Sequence, residues 1–250
     1  MKRIVVSLVT ALSIAAIACG DDEGDTGTSS TKQLKAGQGK SLSSFPTAGV
    51  ATFYDANGGG NCSFDPSPND LDVAAMDLPE YNGSQACGSC LEVKGPKGTI
   101  KVRVVDSCPG CEDKGVNLDL SASAFAKLAE PKKGRIDITY AAVPCSVTGN
   151  LAYHFKEGSS KYWTAIQVRN HRVAVTKLEY KKGSEWVALE RLDYNYFVAK
   201  SGVGDQPKGL SIRVTSIDGQ TLEDSLPGQI PANKTVEIAA TFKKAGELRY

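Results

Sequence analysis

Six of the seven cysteines, Cys62, Cys87, Cys90, Cys108, Cys111 and Cys145, fall in one half of the chain, and none follows Cys145. An even set confined in this way is either a disulfide framework or a metal site, and the redox compartment decides between them. The pairs Cys87-Gly-Ser-Cys90 and Cys108-Pro-Gly-Cys111 have the spacing of a zinc ribbon. The N-terminus argues for export instead. Met1-Lys-Arg is basic, residues 4–18 form an apolar run short for a membrane span, and Ala16-Ile17-Ala18 is a small-residue cleavage site. In an exported chain the six cysteines read as three disulfides, with no metal and no cofactor expected.

Residues 1–19 are similar to a bacterial lipoprotein signal peptide, in which Cys19 becomes the lipid-modified first residue; plain secretion is the alternative. Residues 20–44 are rich in Gly, Ser, Thr and Asp, too poor in apolar side chains to order themselves, and read as a flexible linker. The formal charge is +1, and loss of Lys2 and Arg3 with the signal takes it to −1. That balance gives no general attraction for nucleic acid. The body is expected to be a monomer that meets a membrane only through a lipid at Cys19.

The remaining length suits two modest domains, over 45–147 and 148–250. In the first, residues 49–54 read as a strand running into Asp55-Ala-Asn-Gly-Gly-Gly60, a glycine run that is either a floppy loop or a place of close backbone approach. Strands are expected over 72–77, 90–93 and 135–140, with a turn at Gly95-Pro-Lys-Gly98. Residues 121–129 read as a helix capped by Ser121 and stopped by Pro131. The most suggestive chemistry lies in residues 102–120. There Asp106 ends a strand of Val102, Val104 and Val105, Cys108-Pro-Gly-Cys111 makes a tight turn, and Asp119 lies in a second strand over 116–120. Paired acids at strand ends are the equipment of glycosidic-bond chemistry, although an Asp at such a place often only caps a turn.

After Cys145 alternating strands take over, at 162–169, 172–180, 185–191, 210–216 and 234–242, with turns at Asn170-His171, Lys182-Gly183 and Asp218-Gly219. Strands at this spacing suit an antiparallel sandwich. Along the first of them Ile166 and Val168 face inward, and Ala165, Gln167 and Arg169 face outward with Trp163 in phase. Tyr162 would point the opposite way on a regular strand, so a bulge or loop is needed to put both rings on one surface. With Tyr194 and Lys156 they would form a flat apolar strip, on which the C–H faces of sugar rings stack; core packing is the ordinary fate of such rings.

Across residues 48–238 the order of these pieces resembles the bacterial expansins and, through them, the plant expansins. The resemblance rests on Ala51-Thr-Phe-Tyr54, Cys87-Gly-Ser-Cys-Leu-Glu-Val-Lys-Gly-Pro-Lys-Gly98, Val104-Val-Asp106 followed by Leu118-Asp-Leu-Ser121, Lys156-Glu-Gly-Ser-Ser-Lys-Tyr-Trp163, Ala165-Ile-Gln-Val-Arg-Asn-His171 and Asp193-Tyr-Asn195. It implies a six-stranded double-psi β-barrel packed against an immunoglobulin-like, cellulose-binding β-sandwich, mostly β throughout. It also implies loosening of plant cell walls without hydrolysis, acting on cellulose and other wall glucans such as xyloglucan or mixed-linkage glucan. By position Asp119 matches the acid indispensable for loosening, and Asp106 and Thr52 match polar residues of the same groove. Tyr162, Trp163 and Tyr194 match the binding strip, with Lys156 beside it. Six cysteines allow about fifteen pairings, and spacing does not choose among them; the likeness to the plant pattern implies Cys62–Cys87, Cys90–Cys145 and Cys108–Cys111. Two departures stand out. Tyr162 replaces the Trp common in bacterial relatives, a smaller stacking face that weakens binding by ~1 kcal/mol or less, and Cys108 stands where many relatives place an aromatic.

Three function classes follow. A non-hydrolytic loosening protein needs the groove and the strip. A β-1,4-glucanase would pair Asp119 with a second carboxylate, for which Asp55 is the candidate, though Asp-Ala-Asn-Gly also reads as an ordinary turn opening; a peptidoglycan lytic transglycosylase is the related alternative. A pure carbohydrate-binding module would need no acids in a groove.

Overall fold

The computed structural model describes residues 41–228, 232–237 and 240–242. The signal segment, Cys19, most of the linker and residues 238 and 239 of the strand expected over 234–242 lie outside the described residues, and residues 240–242 are not strand. Among the described residues no helix is long and apolar enough to cross a membrane.

Six strands of the first half close into a barrel. They are β1 (Thr47–Tyr54), β2 (Val73–Asp77), β3 (Cys90–Gly95), β4 (Gly98–Cys108), β5 (Leu118–Ser121) and β6 (Ile136–Val143), hydrogen-bonded in the order β1-β5-β2-β4-β3-β6, with β6 returning to β1. Two neighbour pairs, β1/β5 and β2/β4, are parallel and the other four antiparallel. Strand β2 reads Val-Ala-Ala-Met-Asp and is buried along its whole length, because it lies between β5 and β4 and carries small side chains that let its neighbours close over it. Alternating residues of the other strands fill the interior, among them Ala51, Leu91, Val93, Val102, Val104, Leu118, Leu120, Ile136 and Ile138. Two short helices cover the barrel. Helix α1 (Leu78–Tyr81) begins at Asp77, whose carboxylate accepts from the Glu80 N–H at 3.0 Å, and α2 (Ala122–Leu128) begins at Ser121, whose hydroxyl accepts from the Ala124 N–H at 3.0 Å.

The structure pairs Cys62 with Cys87, Cys90 with Cys145 and Cys108 with Cys111. All six thiols are therefore committed to disulfides, and the zinc-ribbon alternative has no ligands left. Cys90–Cys145 ties the first residue of β3 to the segment leaving β6. It closes a separation of 55 residues, for which loop-closure entropy predicts a stabilisation of ~4 kcal/mol. Removing it as the Cys90→Ala, Cys145→Ala pair is expected to lower unfolding free energy by about that amount in a urea titration.

The second half forms two sheets. One has the order β10-β9-β13-β14, from β9 (Val175–Lys182), β10 (Glu185–Ala188), β13 (Leu210–Ser216) and β14 (Thr221–Leu226); the other has the order β11-β12-β8-β7-β15, from β7 (Ala152–Phe155), β8 (Thr164–Arg169), β11 (Glu190–Arg191), β12 (Phe197–Ala199) and β15 (Lys234–Glu237). Their inner faces share one core that includes Tyr153, Ile166, Val168 and Phe197 from the second sheet and Leu178, Ile212 and Val214 from the first. Two sequence expectations need adjustment. Residues 185–191 are not one strand, because the chain changes sheets at buried Leu189 and so divides into β10 and β11. The outward set of β8 is not solvated along its length. Ala165 and Gln167 are fully buried, since the Gln167 amide donates to the Cys62 carbonyl at 2.8 Å and the barrel covers this part of the sheet.

Candidate functional site

Register brings the two acids together. Thr52 of β1 is opposite Asp119 of β5, Asp119 is opposite Ala75 of β2, and Ala75 is opposite Asp106 of β4. Side chains in register share a face, so Thr52, Asp119, Ala75 and Asp106 make one row across four strands, on the face opposite Ala51, Leu118 and Leu120 of the core. At ~4.8 Å between neighbouring strands the two acids are about 10 Å apart at their Cα atoms, separated only by the Ala75 methyl. Asp106 owes its place to a register shift in the β2/β4 pairing, where Ala74 faces Val104 but Ala75 faces Asp106, leaving Val105 as the extra residue. Without that bulge the side chain would fall out of the row.

Each acid is held by donors. The Thr52 hydroxyl donates to Asp119 Oδ1 at 2.6 Å. Asp106 Oδ1 accepts from two backbone N–H groups, Asn61 at 2.6 Å and Ser107 at 2.8 Å. Burial raises the pKa of both carboxyls above the ordinary Asp value, for Asp119 against the Thr52 hydrogen bond and the Lys114 charge, and for Asp106 against its two backbone donors and with the Asp119 charge adding to the rise. A raised pKa in the fold means that the native state holds these protons more tightly than the unfolded chain. The stabilisation it brings is complete below the unfolded pKa and is lost as pH rises through the folded one. Asp119→Asn is therefore expected to be at least as stable as the wild type at pH 7, with the gap closing as pH falls towards the ordinary Asp range, measured by urea unfolding at each pH.

Tyr54, two residues beyond Thr52, belongs to the same face and was not singled out from sequence. Its hydroxyl is buried with no hydrogen-bond partner among the described residues, and both Asp106 and Asp119 push its pKa upward after burial itself. The period-2 repeat from Thr52 was the signal that would have found it. Tyr54→Phe removes an unpaired buried polar atom, so it is expected to hold or raise the melting temperature, by the equivalent of ~1 kcal/mol or more. The glycine run is no floppy loop here. A Cβ on Gly60 would sit 2.3 Å from Asp106 Cγ, so the backbone at Gly60 lies directly on the carboxylate and only glycine fits. Asp55 is exposed and just past the end of β1, three residues or roughly 10 Å along the chain from Thr52.

Trp163 and Tyr194 lie on the outer face of the five-stranded sheet. Trp163, Leu192 and Tyr194 pack on a separate buried cluster of Ala165, Tyr196 and Val198. Tyr162 is 73 % exposed and sits in a tight turn closed by the bridge between Ser160 and Trp163, ahead of β8. That turn is the loop needed to free Tyr162 from strand alternation. Lys156 Nζ lies 5.6 Å from the Tyr196 ring centroid, and the Tyr194 and Tyr196 rings are 5.8 Å apart. Tyr196, at 4 % exposure, backs the cluster; its i, i+2 relation to Tyr194 was legible but unused.

The match to known proteins covers both halves. Residues 73–140 fit a family model described as lytic transglycolase. The chain is 41 % identical over 193 residues to Expansin-YoaJ of Bacillus subtilis, covering 75 % of this chain and 80 % of that protein. It is 26 % identical over 214 residues to Expansin-B3 of Arabidopsis thaliana, covering 74 % and 79 %. The solved expansin of Clavibacter michiganensis superposes with a TM-score of 0.71 at 37 % identity, over 80 % of this chain and all of that one. A closed six-stranded barrel with an acid row, joined to a sandwich with an aromatic cluster, and identity of this extent across both place the chain in the expansin family.

Proposed function

We propose that this chain is an exported, non-hydrolytic loosening protein that binds cellulose and other plant wall glucans and disturbs their non-covalent contacts. The observation that carries the reading is the pairing of two unlike features in one chain: Trp163 and Tyr194 on one aromatic cluster with exposed Tyr162 next to Trp163 in sequence, and the row of Thr52, Asp119 and Asp106. Tyr162, Trp163 and Tyr194 stack on sugar faces, with Lys156 donating to hydroxyls beside them. Asp119, held by Thr52, hydrogen-bonds a glucan chain in the groove, and Asp106 borders the same chain. A further support is that a mutant of the Clavibacter michiganensis expansin, with a TM-score of 0.71 and 36 % identity, was solved in complex with cellohexaose. The protein acts as a monomer, at the cell envelope through a lipid on Cys19 or free outside the cell.

Cleavage is the second reading, favoured by the family model matched at residues 73–140. An inverting mechanism needs a second carboxylate free to activate water. Asp106 has one oxygen committed to two backbone donors, and Asp55 lies past the end of β1 with its side chain exposed, which favours the non-hydrolytic reading. Creep of cellulose-containing wall strips under constant load tests the main reading. Added protein is expected to increase extension; unchanged extension together with solubilised sugar would favour cleavage.

A further inference from the structure

The turn that carries Tyr194 is seated on the same barrel segment that holds Asp106. The turn closes through the Asn195 N–H to the Leu192 carbonyl at 3.1 Å. Beneath it runs the segment from Gly60 to Cys62, which docks on the β4 bulge: Asn61 N–H donates to Asp106 Oδ1, and Cys62 N–H donates to the carbonyl of the extra residue, Val105, at 3.1 Å. Asn61 then reaches the other way. Its side-chain amide donates to the Asp193 carbonyl at 3.1 Å and to the Tyr81 hydroxyl at 3.0 Å, and that hydroxyl itself donates to the Asp193 carbonyl at 2.7 Å. One residue thus contacts a groove acid through its backbone and the peptide unit joining Asp193 to Tyr194 through its side chain.

We propose that Asn61 is a positioning residue that fixes the Tyr194 turn relative to Asp106, so that one glucan chain engages the strip and the groove together. The inference rests on the function proposed above. Asn61 is not what holds the two halves together. The Ser84 hydroxyl donates to the Leu192 carbonyl at 2.7 Å, Arg191 donates to the Ser84 carbonyl at 2.7 Å, and Asn195 and Gln167 both donate to the Cys62 carbonyl. Those contacts survive the loss of the Asn61 amide, so a variant keeps its domain packing and the base of the turn, while the Asp193 carbonyl is left to Tyr81 alone and loses its one link to Asp106.

The test is calorimetric titration of the mature protein with cellotriose and cellohexaose, on the wild type, Asn61→Ala and Ser84→Ala. Asn61→Ala keeps the backbone N–H for Asp106 and removes only the two side-chain bonds. It is expected to weaken cellohexaose binding about fivefold, the worth of an ordinary hydrogen bond, and to leave cellotriose binding unchanged. Ser84→Ala, which removes a barrel bond to the same turn at the Leu192 carbonyl but touches no groove acid, is expected to change neither. An unaltered ratio of the two affinities in Asn61→Ala would overturn the inference, as would an equal fall of the ratio in Ser84→Ala, which would make the effect general loosening of the contact. A wild type that binds both sugars equally, or neither, would instead overturn the shared grip of groove and strip on which the inference stands.

Discussion

Asp119→Asn is expected to abolish wall loosening while retention on cellulose stays at the wild-type level. The substitution is nearly isosteric, and the amide oxygen can still accept from Thr52 Oγ1, which now donates to Asp119 Oδ1 at 2.6 Å. What changes is the charge, the ability to exchange a proton, and the strength of any bond to a glucan hydroxyl. Hydrogen bonds to charged groups contribute roughly 1.5–3 kcal/mol, so the grip of the groove should weaken by about 10- to 100-fold. Unfolding does not account for such a loss, because burial disfavours the carboxylate and its removal relieves the fold. The strip lies in the other half of the chain and is untouched. Creep under load and a cellulose pull-down on the same preparation check the two halves of this expectation together; loss of retention would contradict the division of labour.

Replacing Tyr162, Trp163 and Tyr194 together by Ala is expected to do the reverse at the binding step. Stacking contributes ~0.5–1.5 kcal/mol per ring beyond area burial, so three rings amount to roughly 1.5–4.5 kcal/mol, or about 10- to 1,000-fold in affinity for cellulose. Loosening should fall with it, because the groove no longer stays near its polymer. The three rings differ in what else they do. Tyr162 is largely exposed and its loss should leave stability unchanged, whereas Trp163 and Tyr194 pack on the cluster of Ala165, Tyr196 and Val198. Tyr162→Ala alone, assayed by the same pull-down, is therefore the cleanest single change. Full retention of the triple variant would show that another surface holds the cellulose.

Local chemistry was legible in the sequence to different depths. The strand around Ile166 and Val168 and the Ser121 cap followed from period and composition, because alternation and capping are local rules. The three disulfide pairs came from the resemblance, since spacing cannot choose among pairings, and the structure has the same three. Long-range register was out of reach. Nothing near Val105 marks it as a bulge, yet that extra residue decides that Asp106 joins Asp119. The division of residues 185–191 between two sheets was hidden for the same reason, since each piece alternates like a strand. Strands β7, β12 and β14 were missed as short or acidic, too weakly patterned to read alone. Gln167 looked like a solvated residue and is instead a buried donor between barrel and sandwich. Such a role depends on a partner 105 residues away in sequence.

The central claim, that this acid row grips glucan without cutting it, is tested most directly by reducing-end release. The purified mature protein is incubated with amorphous cellulose and with mixed-linkage glucan, beside Asp119→Asn. The account predicts no release above the variant, with the protein retained on the cellulose. Release that disappears in Asp119→Asn would contradict it and make the chain a glucanase, with Asp55 the next residue to change.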